Sequence, residues 1–419
     1  MRVGSLILVA SAFGPYLFSS IRTEQLAVYA AFPPALLFGP LVYRRIRNEG
    51  WKILFGWGLL IFWAAFGYLW SSPQPMPWSK GNPIASLDNL VLPLAVLVVV
   101  WALIPEGAAA EYLRWTATLI VVFCTVNAAL ALLTPSSPTL TTALRYFWAP
   151  MDGTETVAER AGQLGRYSGV FGQPSEAGVA YSVAGVALVH YFAKRPWILL
   201  SSLPILIIGA AFSVSKIFLF IGLPVAILYL MYLRSITQRI TLIIIAVLTG
   251  AVIWSSGLLQ SWNGLRYLTR LMQIPAGVGF IEFYTANRWN EGSSMTEVIR
   301  EVLGASPLTG SGLSGLKVPY DSAWAEAFVL AGTLGAIALS SVFITLYAFA
   351  KRMTPDPVGR LGQLLVIVLL ASSLGIPSLT ANRAATLVWL LLAGVLAQYV
   401  DMHHPQDSSG STQGLPRPL

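Results

Sequence analysis

One cysteine, three histidines and few charges set the first limits on this chain. Cys124 stands alone inside an apolar run, so no disulfide can close within the chain, and the residue is silent about compartment. His190, His403 and His404 show no metal-ligand spacing, so no metal centre is expected. No G-x-S-x-G elbow, H-E-x-x-H pair or Walker A loop occurs, which removes the common nucleophile, zinc and nucleotide signatures. Charge is the largest deficit. Only 11% of the 419 residues are Asp, Glu, Lys or Arg, where a soluble domain carries about 25%, too few to cover a water-exposed surface. None of the 18 acids falls in the middle of an apolar run. A carboxylate there costs about 3 kcal/mol on insertion scales and usually marks an ion path. That absence argues against a proton- or sodium-coupled transporter.

What is present is apolar: 56% of residues are hydrophobic, in recurring runs of about 20, long enough to cross a bilayer as helices. The pattern predicts an all-α polytopic membrane protein with about twelve spans, near 4–20, 25–42, 53–70, 86–104, 113–133, 173–192, 197–213, 217–233, 240–259, 323–350, 361–376 and 383–400. The start, "MRVGSLILVASAFGPYLF", reads as the first span rather than a cleaved signal. Basic loops "YRRIRNEGWK", "AKRPW", "LRSITQR" and "KRMTPDPVGR" fall on one side if both termini do, while the opposite short loops carry one basic residue each, Arg22, Lys80, Lys216 and Arg383. The positive-inside rule makes the first side cytoplasmic. The net charge of +8 reflects those loops and attraction to anionic lipid rather than nucleic acid. Residues 1–402 read as a single transmembrane domain, and 403–419 as a disordered cytoplasmic tail rich in Pro, Gly and Ser.

Two long segments, about 134–172 and 260–322, then lie outside. The second is partly helical. In "SWNGLRYLTRLM" Arg266 and Arg270 are four apart and point one way on a helix. "SMTEVIREVLG" offers Ser294 and Glu297 at capping-box spacing and Gly304 as a C-cap. Gly310, Gly312 and Gly315 stand at G-x-G-x-x-G spacing, yet no strand precedes them, as a dinucleotide loop requires. They read as a tight turn returning the chain to the membrane.

The residues able to carry chemistry gather at the outer ends of spans. "GRYSGVFGQPSEAGVAYS" holds Arg166, Gln173 and Glu176, with Pro174 suited to the first helical turn and Glu176 to its dipole. "SVSKIFLF" places Lys216 between two spans, and "SLTANRAATLVW" places Arg383 at the start of the last. In "YDSAWAEA", Asp321 or Ser322 would cap the tenth span, and Glu326 lies one turn further. Lipid-headgroup contact and helix capping explain each singly. Together, exterior cations with a few acids suit a diphosphate, which guanidinium forks grip through charge-assisted bonds of about 1.5–3 kcal/mol each.

At these residues the chain resembles the O-antigen ligase and Wzy-type polysaccharide polymerase superfamily. "RYSGVFGQPSEAG" resembles its R-x-S-G-x-F-x-x-P-N-x-x-G motif, "SVSKIFL" its S-R-small stretch, and "GASPLTGSGLSGLKVPYDSAWAEAFVLAGTLGAI" its P-L-x-G-x-G turn and following span. Lys216 stands where arginine is usual, keeping charge but losing the bidentate fork. The ligases' H-N pair is replaced by Tyr320-Asp321-Ser322, and no exterior histidine exists, so a polymerase is favoured over a ligase. The resemblance implies glycosyl transfer at the outer face of a bacterial inner membrane, without metal or cofactor. The donor is a glycan on polyprenyl diphosphate, and the acceptor is a hydroxyl of the next lipid-linked repeat unit. A chain-length regulator protein is an implied partner. Arg166, Lys216, Arg266, Arg270, Arg288 and Arg383 become the expected diphosphate grip. Asp321 is the first candidate base, with Glu326 and Glu176 in reserve, and Gln173, Tyr320 and Ser322 contact substrate. A ligase passing finished glycan to a final acceptor, and a flippase of lipid-linked glycan, are the alternatives. All require the cations to share one pocket.

Overall fold

The computed structural model describes residues 1–17, 21–70, 79–148, 155–240, 279–317, 320–380 and 382–403. The ninth expected span, Arg266, Arg270 and the tail beyond residue 403 lie outside them. The chain is mostly helical. Among the described residues six helices are long and apolar enough to span a membrane: Pro40–Trp70, Pro83–Leu103, Ala109–Ser136, Pro196–Ser213, Ala323–Arg352 and Arg383–His403.

In chain order the helices are α1 (Arg2–Ala12), α2 (Thr23–Phe38), α3 (Pro40–Arg45), α4 (Trp51–Trp70), α5 (Pro83–Leu103), α6 (Ala109–Leu133), α7 (Pro138–Leu144), α8 (Val157–Gln163), α9 (Pro174–Phe192), α10 (Pro196–Ser213) and α11 (Leu223–Tyr232). After the undescribed stretch come α12 (Phe280–Thr285), α13 (Ser294–Ala305), α14 (Ala323–Arg352), α15 (Pro357–Ser372) and α16 (Asn382–His403). Each expected span within the described residues contains a helix, but the first is cut short. α1 stops at Ala12, and Tyr16–Leu17 pairs with Ile21–Arg22 as a two-residue hairpin. Pro15, which has no backbone N–H, follows Gly14 at that break. The basic stretch after α2 is not a loop either. It continues α3 helically and reaches α4 through a kink at Asn48 and Glu49, where Glu49 has a φ of 78°.

α9 and α16 form the buried centre. α9 can be central because it is built from small residues: a Cβ on Gly178 would meet the Ser215 side chain, and one on Gly222 would meet Ser182. Such residues let helices approach closely where lipid removes any hydrophobic drive between them. At the end remote from Arg383, Arg45 donates to the carbonyls of Trp101 (2.6 Å) and Ile104 (2.9 Å) and pairs with Asp401 (3.3 Å).

The glycine-rich turn serves this packing. α14 breaks at Gly332, whose φ is 62°. The turn fills the break: Ser311 N donates to Val329 O (2.7 Å), while Thr333 N and Leu334 N donate to Pro307 O (3.0 Å) and Leu308 O (3.2 Å). Backbone groups freed in a membrane helix must find partners within the protein. Gly310 and Gly312 have φ of 63° and 72°, and a Cβ on Gly312 would lie 2.1 Å from the Tyr68 nitrogen. Only glycine fits both demands.

Candidate functional site

Pro174 occupies the first position of α9, as its ring predicts, with Gln173 at the N-cap. The chain before it, residues 165–173, therefore lies over the same end of the bundle as the α10–α11 link, where Val214 adopts a left-handed conformation and Lys216 follows. α12 and the turn after it dock there by supplying donors to carbonyls at the end of α15 and in the loop that follows it. Tyr284 Oη reaches Ala371 O (3.2 Å), Arg288 Nη1 reaches Gly375 O (3.2 Å) and Trp289 Nε1 reaches Leu374 O (3.0 Å).

These segments enclose a cavity of about 370 Å³. Arg160, Arg166, Lys216 and Arg288 line it with Asp321, and Gln173 lies at its wall. Asp321 is the carboxylate among these lining groups, and Arg160 also pairs with Glu155 at 3.8 Å. Asp321 is paired with Arg288 at 3.0 Å, with both side chains more than a third exposed. Burial raises the carboxyl of Asp321 above its ordinary value, and Arg288 only partly opposes this. Lys216 is held below the ordinary lysine value, first by burial and then by neighbouring Arg166 and Arg288. Its ammonium donates to Phe283 O and lies 4.4 Å from the Phe283 ring centre.

Five expected site residues, Arg166, Gln173, Lys216, Arg288 and Asp321, thus meet in one place. Others do not line it. Arg383, 1% exposed, donates to Val170 O (2.6 Å) and lies 5.1 Å from the Tyr16 ring centre. Glu176, also 1% exposed, accepts from the backbone N–H of Arg383 (2.9 Å). Arg22 and Glu24 pair at 3.0 Å nearby, completing a buried cluster of two arginines and two glutamates. Glu326 accepts from Thr380 beside a void of only about 10 Å³ walled by Trp57, Leu90 and Leu330.

Tyr320 uses its hydroxyl to accept from Leu316 N (2.7 Å). Ser322 caps α14, accepting from Trp324 N (3.1 Å) and donating to Ser373 O (2.8 Å). Because Ser322 is the cap, Asp321 is left free of that duty. On α13 the cap is Ser293 rather than Ser294, and Gly304 lies inside the helix, which runs to Ala305.

Arg160 was not anticipated as a site residue. The signal was present: Thr156 and Glu159 form a capping box that starts α8, and Arg160 follows on it. No family model matches the chain, and no curated protein matches it.

Proposed function

We propose that the chain polymerises lipid-linked oligosaccharide repeat units, transferring glycan from a polyprenyl diphosphate at the outer face of a bacterial inner membrane. In this reading about twelve spans carry both termini on the cytoplasmic side. The observation that supports it is the shared cavity: Arg160, Arg166, Lys216 and Arg288 converge with Asp321 at one end of an apolar helical bundle.

The acceptor hydroxyl oxygen attacks the anomeric carbon of the donor sugar. The bond from that carbon to the diphosphate oxygen breaks, and the electron pair leaves on the diphosphate. Cations already fixed around the leaving group stabilise that charge without reorganising. The hydroxyl proton passes to Asp321. Arg288 holds Asp321 at 3.0 Å. A diphosphate offers Arg288 more negative charge than one carboxylate does, so the leaving group's arrival frees the base.

Purified protein given lipid-linked repeat units should produce a ladder of lengths without nucleotide or metal. Asp321→Asn should slow the ladder by about 10²–10⁴-fold, the usual worth of a general base, while diphosphate binding persists. A single transfer to a final acceptor would indicate a ligase. Unchanged units carried into vesicles would indicate a flippase.

A further inference from the structure

A second cavity, of about 550 Å³, lies against the other side of α8. Val157, Arg160 and Ala161 line the first cavity, while Ala158, Glu159 and Gly162 line the second. The following loop divides the same way: Arg166 borders the first, and Tyr167, Ser168 and Gly169 border the second. One thin wall therefore separates two chambers of different chemistry.

The first is cationic. The second is lined by the hydroxyls of Thr141 and Thr142, which donate to Ser137 O and Pro138 O and present their lone pairs, by Gln163, whose amide donates to Glu155, and by the rings of Trp148 and Tyr167. Arg145 also borders it, but its guanidinium is paired with Glu159. The other oxygen of Glu159 accepts from Thr156 N (2.8 Å) and Thr156 Oγ1 (3.0 Å). Those two charges are committed to holding the wall. Trp148 is fixed by its indole N–H, which donates to Gly169 O at 2.9 Å. The volume falls in the range of about 300–1,000 Å³ usual for clefts that enclose small molecules.

We propose that this second cavity is a glycan subsite for uncharged sugar units. Hydroxyl-rich rings need polar partners, which the threonine lone pairs and the remaining N–H and carbonyl of Gln163 supply, and an apolar surface for their C–H faces, which the aromatic rings supply. Among the described lining residues Arg145 is paired with Glu159, and Glu155 is paired with Arg160 at 3.8 Å, so the cavity offers no lone cation to receive the carboxylate of a uronic acid. Gln163 and Leu164, adjacent in sequence, border the second and first cavities respectively. A glycan whose diphosphate sits among the cations can cross the wall there. The subsite stands on its own geometry, and its use in chain extension rests on the transfer reaction proposed above.

The test uses the full chain in lipid nanodiscs and two probes: inorganic diphosphate, and an array of short neutral and uronic-acid-containing oligosaccharides. Neutral members should be retained and uronic-acid members should not. Thr142→Trp, which places a bulky ring on an exposed position of the cavity lining, should weaken glycan retention about tenfold or more, a change of about 1.4 kcal/mol. Gln163→Ala should act in the same direction. Both variants should melt with the parent and bind diphosphate as it does. Lys216→Ala should show the reverse, losing diphosphate and keeping glycan. The inference is overturned if no oligosaccharide is retained, if acidic members bind as well as neutral ones, or if both lining variants leave retention unchanged. Glycan retained without diphosphate binding would remove the transfer reading and leave the subsite standing. Diphosphate bound without glycan would do the opposite.

Discussion

Two groups of charge lie at the same end of this bundle, and they differ in access. Around Arg383, two arginines and two glutamates are shut away from solvent, and Asp88 adds a third carboxylate at 3.4 Å from Arg22. Around Arg288, four cations and one aspartate line open space and do not balance. The buried group is closed to solvent. Its work is to tie the start of α16 to α9 through Glu176, and to the loop after Arg166 through Val170 O. The open group sits on that fixed loop with charge to spare. Position at the outer end of a span does not by itself make an arginine a ligand-binding residue. The number of carboxylates sharing its burial decides.

The sharpest way to break the comparison is to remove one charge from each group. Arg383→Ala leaves the buried glutamates in excess, and breaking a buried pair in this way costs about 3–5 kcal/mol. Thermal melting in detergent should fall steeply, with diphosphate binding lost alongside the fold. A melting point equal to the parent's would mean the cluster is not what holds the loop. Arg288→Ala should do the opposite. Its ion pair is more than a third exposed, so the main structural loss is its one bond to Gly375 O, worth about 1 kcal/mol, and melting should fall far less than in Arg383→Ala. Diphosphate affinity should drop by roughly 10–100-fold, following the about 1.5–3 kcal/mol of a charge-assisted hydrogen bond. Isothermal titration with inorganic diphosphate separates the two, and equal affinity in parent and variant would remove Arg288 from the grip.

The sequence made height along the bundle legible, but not direction around it. Arg166, Lys216, Asp321 and Arg383 all read as lying at one end, because each flanks an apolar run on the side poor in basic residues. The structure agrees on that end for all four. It differs over which face inward, because that depends on helix rotation and on contacts far apart in sequence, such as Arg383 with Val170 and Tyr16. Pro174 could be placed at the first turn of α9 since a ring without N–H suits few other helical positions. Glu326 could not be placed. Its spacing from Ser322 is that of a shared helix face, yet Thr380, contributed by the α15–α16 connection, closes it off. The glycines were readable as a turn. That the turn mends a break in α14 depends on Gly332, whose G-x-L-G setting marks a span but not a break in it.

The smallest expected effect is also the most specific to the open group. Lys216 has its ammonium held below the ordinary lysine value by burial and by two neighbouring arginines. The free cavity therefore loses that proton at a lower pH than an exposed lysine would. Below the lowered value the charge is present and diphosphate binding is at full strength. As pH rises through it the charge is lost and binding weakens. Diphosphate brings negative charge that favours the protonated amine, so binding on the alkaline side should take up a proton, measurable as a buffer-dependent heat. The ligand titrates as well, so a single pH profile is ambiguous. Lys216→Arg resolves it, because a guanidinium stays charged across the range while the ligand's own titration is unchanged. The difference between the two profiles isolates Lys216. The variant should lose the alkaline decline and the proton uptake, and gain a few-fold in affinity from the bidentate fork. If parent and variant decline together, Lys216 does not touch the anion, and the grip reduces to the arginines.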